Sequence, residues 1–137
     1  MKRVALPLLL AAAFVAIAMA GWWLKRPAEA VAVACADPVA GCRFLHRGAA
    51  ATLRFSATPA PMEAFRVELE APDARRASAE FQMVGMDMGF NRYDLKPAGS
   101  GVFVAQATLP VCVSGRRDWM LFLDLDGTRY ALPFSTR

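Results

Sequence analysis

Beyond Cys42 the chain runs in short segments where apolar and polar residues alternate with a period of two, and that period restricts the fold. The clearest segment is 63–70, EAFRVELE. Phe65, Val67 and Leu69 fall on one side of an extended backbone, with Arg66, Glu68 and Glu70 on the other. This is the signature of a half-buried strand rather than a helix. The same rule predicts strands at 51–57, with Leu53 and Phe55 inward, and at 78–84, 90–95, 102–108, 117–125 and 128–134. Thr58-Pro59-Ala60-Pro61, Pro72-Asp73-Ala74 and the run 96–101 break them as turns. Asp126-Gly127, between the last two, is a strong two-residue hairpin signal. About seven short strands, with turns every ~8 to 12 residues and no helical period after residue 25, predict an all-β, immunoglobulin-like β-sandwich.

The N-terminal part is different. Residues 4–24 carry no charge and lie between Lys2-Arg3 and Lys25-Arg26. At ~1.5 Å per residue this run is long enough to cross a hydrocarbon core of about 30 Å. Two readings compete. As an uncleaved anchor, Trp22-Trp23 would sit at the membrane–water interface. As a signal peptide, Ala18-Met19-Ala20 would be the cleavage site before Gly21. The apolar run continues through the tryptophans to Leu24, which favours the anchor. Either way the remainder lies outside the cytoplasm. The expected organisation is 1–25 anchor or signal peptide, 26–34 tether and 35–137 extracytoplasmic domain.

Composition excludes several function classes. The net charge of +4 is thinly spread, with Arg75-Arg76 and Arg116-Arg117 as the doublets of the domain. No basic run is interleaved with aromatics, so nucleic acid is not an expected partner. His46 is the only histidine, and GxSxG, HExxH and phosphate-cradling loops are all missing. Asp124 and Asp126 read as solvated residues flanking the hairpin. The chain is therefore expected not to be an enzyme.

Three cysteines, Cys35, Cys42 and Cys112, occur in a chain exported to an oxidising space. A disulfide is the default there, and an odd count leaves one thiol over. Pro38 and Gly41 can turn the chain between Cys35 and Cys42, so a short-loop bridge is sterically reasonable. Pairing of Cys42 with Cys112 stays open at this point. A redox role for the cysteines is weaker, since the chain has no CxxC and no βαβ pattern.

The segment 81–90, FQMVGMDMGF, holds Met83, Met86 and Met88 within six residues. A single methionine is ordinary core filling. Several together with a cysteine form a set of soft sulfur ligands, which select Cu(I) over harder ions. Met86 and Met88 are two apart and share a face of an extended chain. Met83 joins them if Gly85 permits a bend. In 109–116, LPVCVSGR, Pro110 cannot donate to a ladder, so Cys112 is expected at a strand end, near enough to add a thiolate. The competing reading takes the methionines as an adaptable apolar docking surface without metal.

The anchor, the C-x6-C segment, GMDMGFNRY, and LPVCVSGRRDW before a C-terminal hairpin ending in LPF together form a recognisable set. The chain resembles the YtkA-like and FixH-like periplasmic β-sandwich proteins, which are associated with copper delivery and assembly of haem-copper respiratory oxidases. The resemblance implies a single-pass protein of the bacterial inner membrane with its domain in the periplasm. It also implies a Cu(I) cofactor or cargo, and a respiratory oxidase or copper-delivery protein as partner. The implied metal ligands fall on Met86 and Met88, with Met83 and Cys112 beside them. In this expectation Cys35 and Cys42 staple the tether to the sandwich.

Overall fold

The computed structural model describes residues 2–25, 29–86, 89 and 91–137, with 2–6 described by backbone alone. An apolar helix, α1 (Lys2–Leu24), comes first. The stretch Pro7–Leu24 has a mean hydropathy of 2.0 and none of it is buried. It is long and apolar enough to span a membrane or to serve as a signal sequence.

Nine strands follow: β1 (Val31–Ala32), β2 (Cys42–His46), β3 (Ala49–Phe55), β4 (Ala64–Glu70), β5 (Ala77–Met83), β6 (Arg92–Gly99), β7 (Val102–Thr108), β8 (Asp118–Leu125) and β9 (Thr128–Ser135). Among the described residues no helix follows α1. The strands form one curled sheet in the order β1-β9-β8-β5-β6-β7-β4-β3-β2, antiparallel throughout except for β1 against β9.

The curl turns on β6. Its first half, through Leu95, pairs with β5, and Lys96, Pro97 and Gly99 pair with β7. Beyond Leu95 the strand is bonded only on its β7 side, the edge-like setting in which a proline is tolerated. The expected turn at 96–101 therefore shrinks to the Ser100-Gly101 corner, and the strand runs on through Pro97.

Two further strands were hidden from the period-two pattern. In β2 the inward face is Cys42, Phe44 and His46 while Leu45 points outward, so a single aromatic between a cysteine and a histidine marks the buried face only weakly. β1 lies in the segment expected to be a tether. Val31 and Ala32 pair with Tyr130 and Ala131, and Val33 is buried.

The alternation sets the core. Leu53, Val67, Leu69, Phe81, Leu121, Leu123 and Leu125 are fully buried. Phe55 and Phe65, from β3 and β4, meet Phe81 and Phe134, from β5 and β9, with ring centroids 5.4 to 6.3 Å apart. Such edge-to-face contacts close one half of the curled sheet over the other.

The registers also sort the connections. The turns 47–48, 71–76, 100–101 and 126–127 gather at one end. The loops that follow Phe55, Met83 and Thr108 gather at the other. At the first end Asp126 and Gly127 both have positive φ (48° and 90°), as a type I′ hairpin turn requires.

Candidate functional site

Met83 is the last residue of β5. It continues the inward series Ala77, Ala79, Phe81 and is only 2 % exposed. The chain turns at once: the Met86 N–H donates to the Met83 carbonyl at 3.2 Å, and the two residues form an isolated antiparallel bridge. Gly85 has φ 75° at the turn position that demands a left-handed residue. Directly bridged residues project to the same side. Met86 is thus carried back over the Met83 side of the ribbon, where it is 40 % exposed. Met88, with Asp87 and Phe90, lies outside the described residues.

Cys112 reaches this corner from the loop between β7 and β8. Its thiol donates to the Met83 Sδ at 3.1 Å, and its Sγ lies 2.9 Å from the Ser114 Oγ. A hydrogen bond from the Gly115 N–H to the Cys112 carbonyl, 3.2 Å, folds the loop. The two loops are tied by the Val84 N–H donating to the Asp118 carbonyl at 3.3 Å. Arg116 donates through Nε to Asp118 at 3.0 Å, so this arginine pairs with its neighbour as its position suggests.

The Cys112 thiol is held below its ordinary pKa. The Ser114 hydroxyl is the largest cause; partial burial opposes it, and the N–H groups of Ser114, Arg116 and Gly115 add to it. Hydrogen-bond donors aimed at a sulfur favour its anion, which is the nucleophile and the metal ligand.

The remaining candidates separate from this corner. Cys35 and Cys42 form a disulfide with Cα atoms 5.2 Å apart, and Cys112 is the free thiol. The alternative of a Cys42–Cys112 bridge is thereby closed. His46 sits toward the opposite end, buried on β2, with Nδ1 2.9 Å from the Tyr130 hydroxyl. Its Nε2 has no hydrogen-bond partner and lies 3.8 Å from the Asp126 Oδ2.

Asp126 was expected to be a solvated flank of the hairpin, and it is not. Its carboxylate is 10 % exposed and accepts the backbone N–H groups of Arg75 and Arg76 at 3.1 and 2.9 Å. Burial alone would raise its pKa. The N–H donors of Arg76 and Arg75, then the charges of Arg47 and His46, outweigh burial and hold it below the usual carboxylate value. Nothing in the D-G dipeptide reveals this role, because its partners arrive from fifty residues away. Asp124 pairs with Arg129 at 3.1 Å.

The Met83–Cys112 pair has a soft donor character. Among the described residues no group of three or more His, Cys, Asp and Glu side chains converges on one point. One rigid thioether on a strand and one thiolate-prone sulfur in a loop fit a monovalent soft cation. No family model matches the chain, and no curated protein or solved structure does.

Proposed function

We propose that this is a membrane-anchored, periplasm-facing protein with an immunoglobulin-like β-sandwich that binds Cu(I) and hands it on, as in copper delivery or assembly of a haem-copper oxidase. The observation that carries the reading is the 3.1 Å approach of the Cys112 thiol to the Met83 thioether. Met83 is the fixed ligand, held by the β5 ladder and the Gly85 turn. Cys112 is the ligand that would bind as its thiolate, a form that the hydrogen bond with Ser114 favours. Met86, half-exposed at the rim, and Met88, two residues further, complete the soft set. Binding replaces the thiol proton, which is released. A ligand that protonates readily and sits in a loop suits exchange rather than storage. This reading extends the YtkA-like and FixH-like resemblance and leaves the protein without an enzymatic role.

A second reading is supported by the surface around the pair. Val111 and Val113 flank Cys112 and are 59 % and 100 % exposed, and Val84 stands beside Met86 at 40 %. Clustered exposed apolar residues mark contact surfaces. The domain would then be an interaction module docking on a membrane complex without metal.

The test is anaerobic Cu(I) titration of the full chain in detergent against a competing chelator. Binding of one equivalent, lost on Met83→Leu with Cys112→Ser, supports transfer. Docking to a membrane complex that survives both changes, without any copper binding, supports the second reading.

A further inference from the structure

The curled sheet ends in β1 and β9 on one side and in β2 on the other, and these two sides meet. Among the described residues β2 pairs with β3 alone, so no backbone ladder closes the seam between β2 and β9. Side chains close it instead, from the alternate residues of β2 that point inward. Cys42 is bridged to Cys35, in the chain that has just left β1. The Phe44 ring lies 4.7 Å from the Tyr130 ring. His46, at the far end of β2, meets Tyr130 and Asp126.

In this row His46 is the residue whose hydrogen bonds do not balance. Its Nδ1 lies 2.9 Å from the Tyr130 hydroxyl, and that hydroxyl lies 3.4 Å from the Leu45 carbonyl. Its Nε2 lies 3.8 Å from the Asp126 Oδ2. Each of the three contacts needs a proton of its own, because the Leu45 carbonyl and the Asp126 carboxylate only accept. A neutral imidazole brings one N–H and the phenol one O–H, which leaves the set one proton short. The shortfall shows at Nε2, which is buried without a hydrogen-bond partner. An imidazolium makes it good. Nδ1 then donates to Tyr130, Tyr130 to Leu45, and Nε2 to Asp126.

The surroundings suit that charge. Asp126, held below the usual carboxylate value, stays ionised while an imidazole gains its proton. The 71–76 turn reaches the carboxylate through backbone alone: Oδ1 accepts the Arg75 and Arg76 N–H groups at 3.1 and 2.9 Å, and Oδ2 accepts that of Arg75 at 3.1 Å. The competing cation is Arg47, whose Nη1 lies 3.6 Å from Oδ2 on a side chain that is 56 % exposed. Water screens that pair, whereas His46 faces the carboxylate from a buried position. β3 sets Ala49 opposite His46, and β1 sets Val31 and Ala32 against Tyr130 and Ala131, all without charge. We propose that His46 is a proton-operated latch: protonation draws Nε2 onto Asp126 and locks the β2–β9 seam, and deprotonation releases the corner of the β2–β3 hairpin.

The test uses the full chain in detergent, made with isotope-labelled histidine for nitrogen NMR. His46 is the only histidine, so a single ring gives the whole spectrum. As pH falls from about 8 to about 5, both ring nitrogens become protonated and the Nε2 proton exchanges slowly with solvent. Over the same interval the hydrogen-exchange protection of the β2 amides, corrected for intrinsic rates, rises about tenfold, as one charge-assisted hydrogen bond allows. In Asp126→Asn that rise is largely lost. A ring that stays neutral while the chain is folded overturns the proposal. So does a protonated ring whose Nε2 proton exchanges freely, or one that leaves β2 protection unchanged. An equal rise in Asp126→Asn also overturns it, because the anion is then not the catch. The parent spectra decide on their own if the variant does not fold.

Discussion

The Cys112 Sγ lies 3.1 Å from the Met83 Sδ, although 29 residues separate them in the chain. The contact exists because β5 and β8 pair through to Met83 and Trp119, which brings the end of one strand beside the loop that feeds the other. The thiol also meets the Ser114 hydroxyl at 2.9 Å. Two soft sulfurs and a hydrogen-bond donor thus share one corner.

Replacing Ser114 by alanine removes the largest cause of the depressed Cys112 pKa. The pKa then rises, so less thiolate is present at a given pH. The pH profile of alkylation by iodoacetamide should move to higher pH. Cu(I) affinity should fall by about 10–100-fold, as for loss of an outer-shell partner. An unchanged alkylation profile would remove Ser114 from the account.

The Cys35–Cys42 bridge closes a short loop, with a sequence separation of 7. Changing both residues to serine should cost about 2–3 kcal/mol from the chain-entropy term. Cu(I) affinity should be unaltered, because the bridge does not touch the Met83–Cys112 corner. Chemical denaturation and the titration, run on the same variant, separate the two effects.

Stability toward acid should depend on Asp126. Its folded pKa is depressed, so its contribution is present above the unfolded value of about 3.9 and is lost as pH falls through the lower folded value. Asp126→Asn keeps an acceptor for Arg75 and Arg76 but removes that titration. Its stability should therefore change less between neutral pH and pH ~3 than the parent chain's. Urea melts across that range would show the flatter acid limb.

Tyr130→Phe leaves the Nδ1 of His46 without its partner in a buried setting where Nε2 already has none. The expected cost is about 1–3 kcal/mol, the penalty for an unsatisfied buried polar group. Equilibrium unfolding measures it directly, and a neutral result would mean that His46 finds water.

The strands at 63–70, 102–108 and 128–134 were legible because apolar residues recur at every second position of their core faces: Phe65, Val67 and Leu69; Phe103, Ala105 and Ala107; Tyr130, Leu132 and Phe134. The hairpin at Asp126-Gly127 was legible because positive φ at two successive residues needs that chemistry. β2 was not, since Cys42 and His46 flank Phe44 on its inward face, held by a disulfide and a tyrosine, while apolar Leu45 points outward. Pro97 concealed the second half of β6, because a proline is normal in a turn and acceptable in a strand bonded on one side only.

The sulfur corner was partly legible. Methionine spacing and the Gly85 bend pointed to it, and Pro110 placed Cys112 past a strand end. The arrangement differs in detail: Met86 is folded back over Met83 instead of Met83 being swung outward. Ser114 went unnoticed because a serine two residues from a cysteine has no distinguishing signature.

The proposed function rests on Met83 and Cys112 holding Cu(I) together. Its most direct measurement is anaerobic titration of the full chain beside Met83→Leu and Cys112→Ser, each against a competing chelator. The account predicts one equivalent bound by the parent chain and a marked loss of affinity in each single variant, larger for Cys112→Ser. Binding that is absent in the parent, or unchanged in both variants, would contradict it.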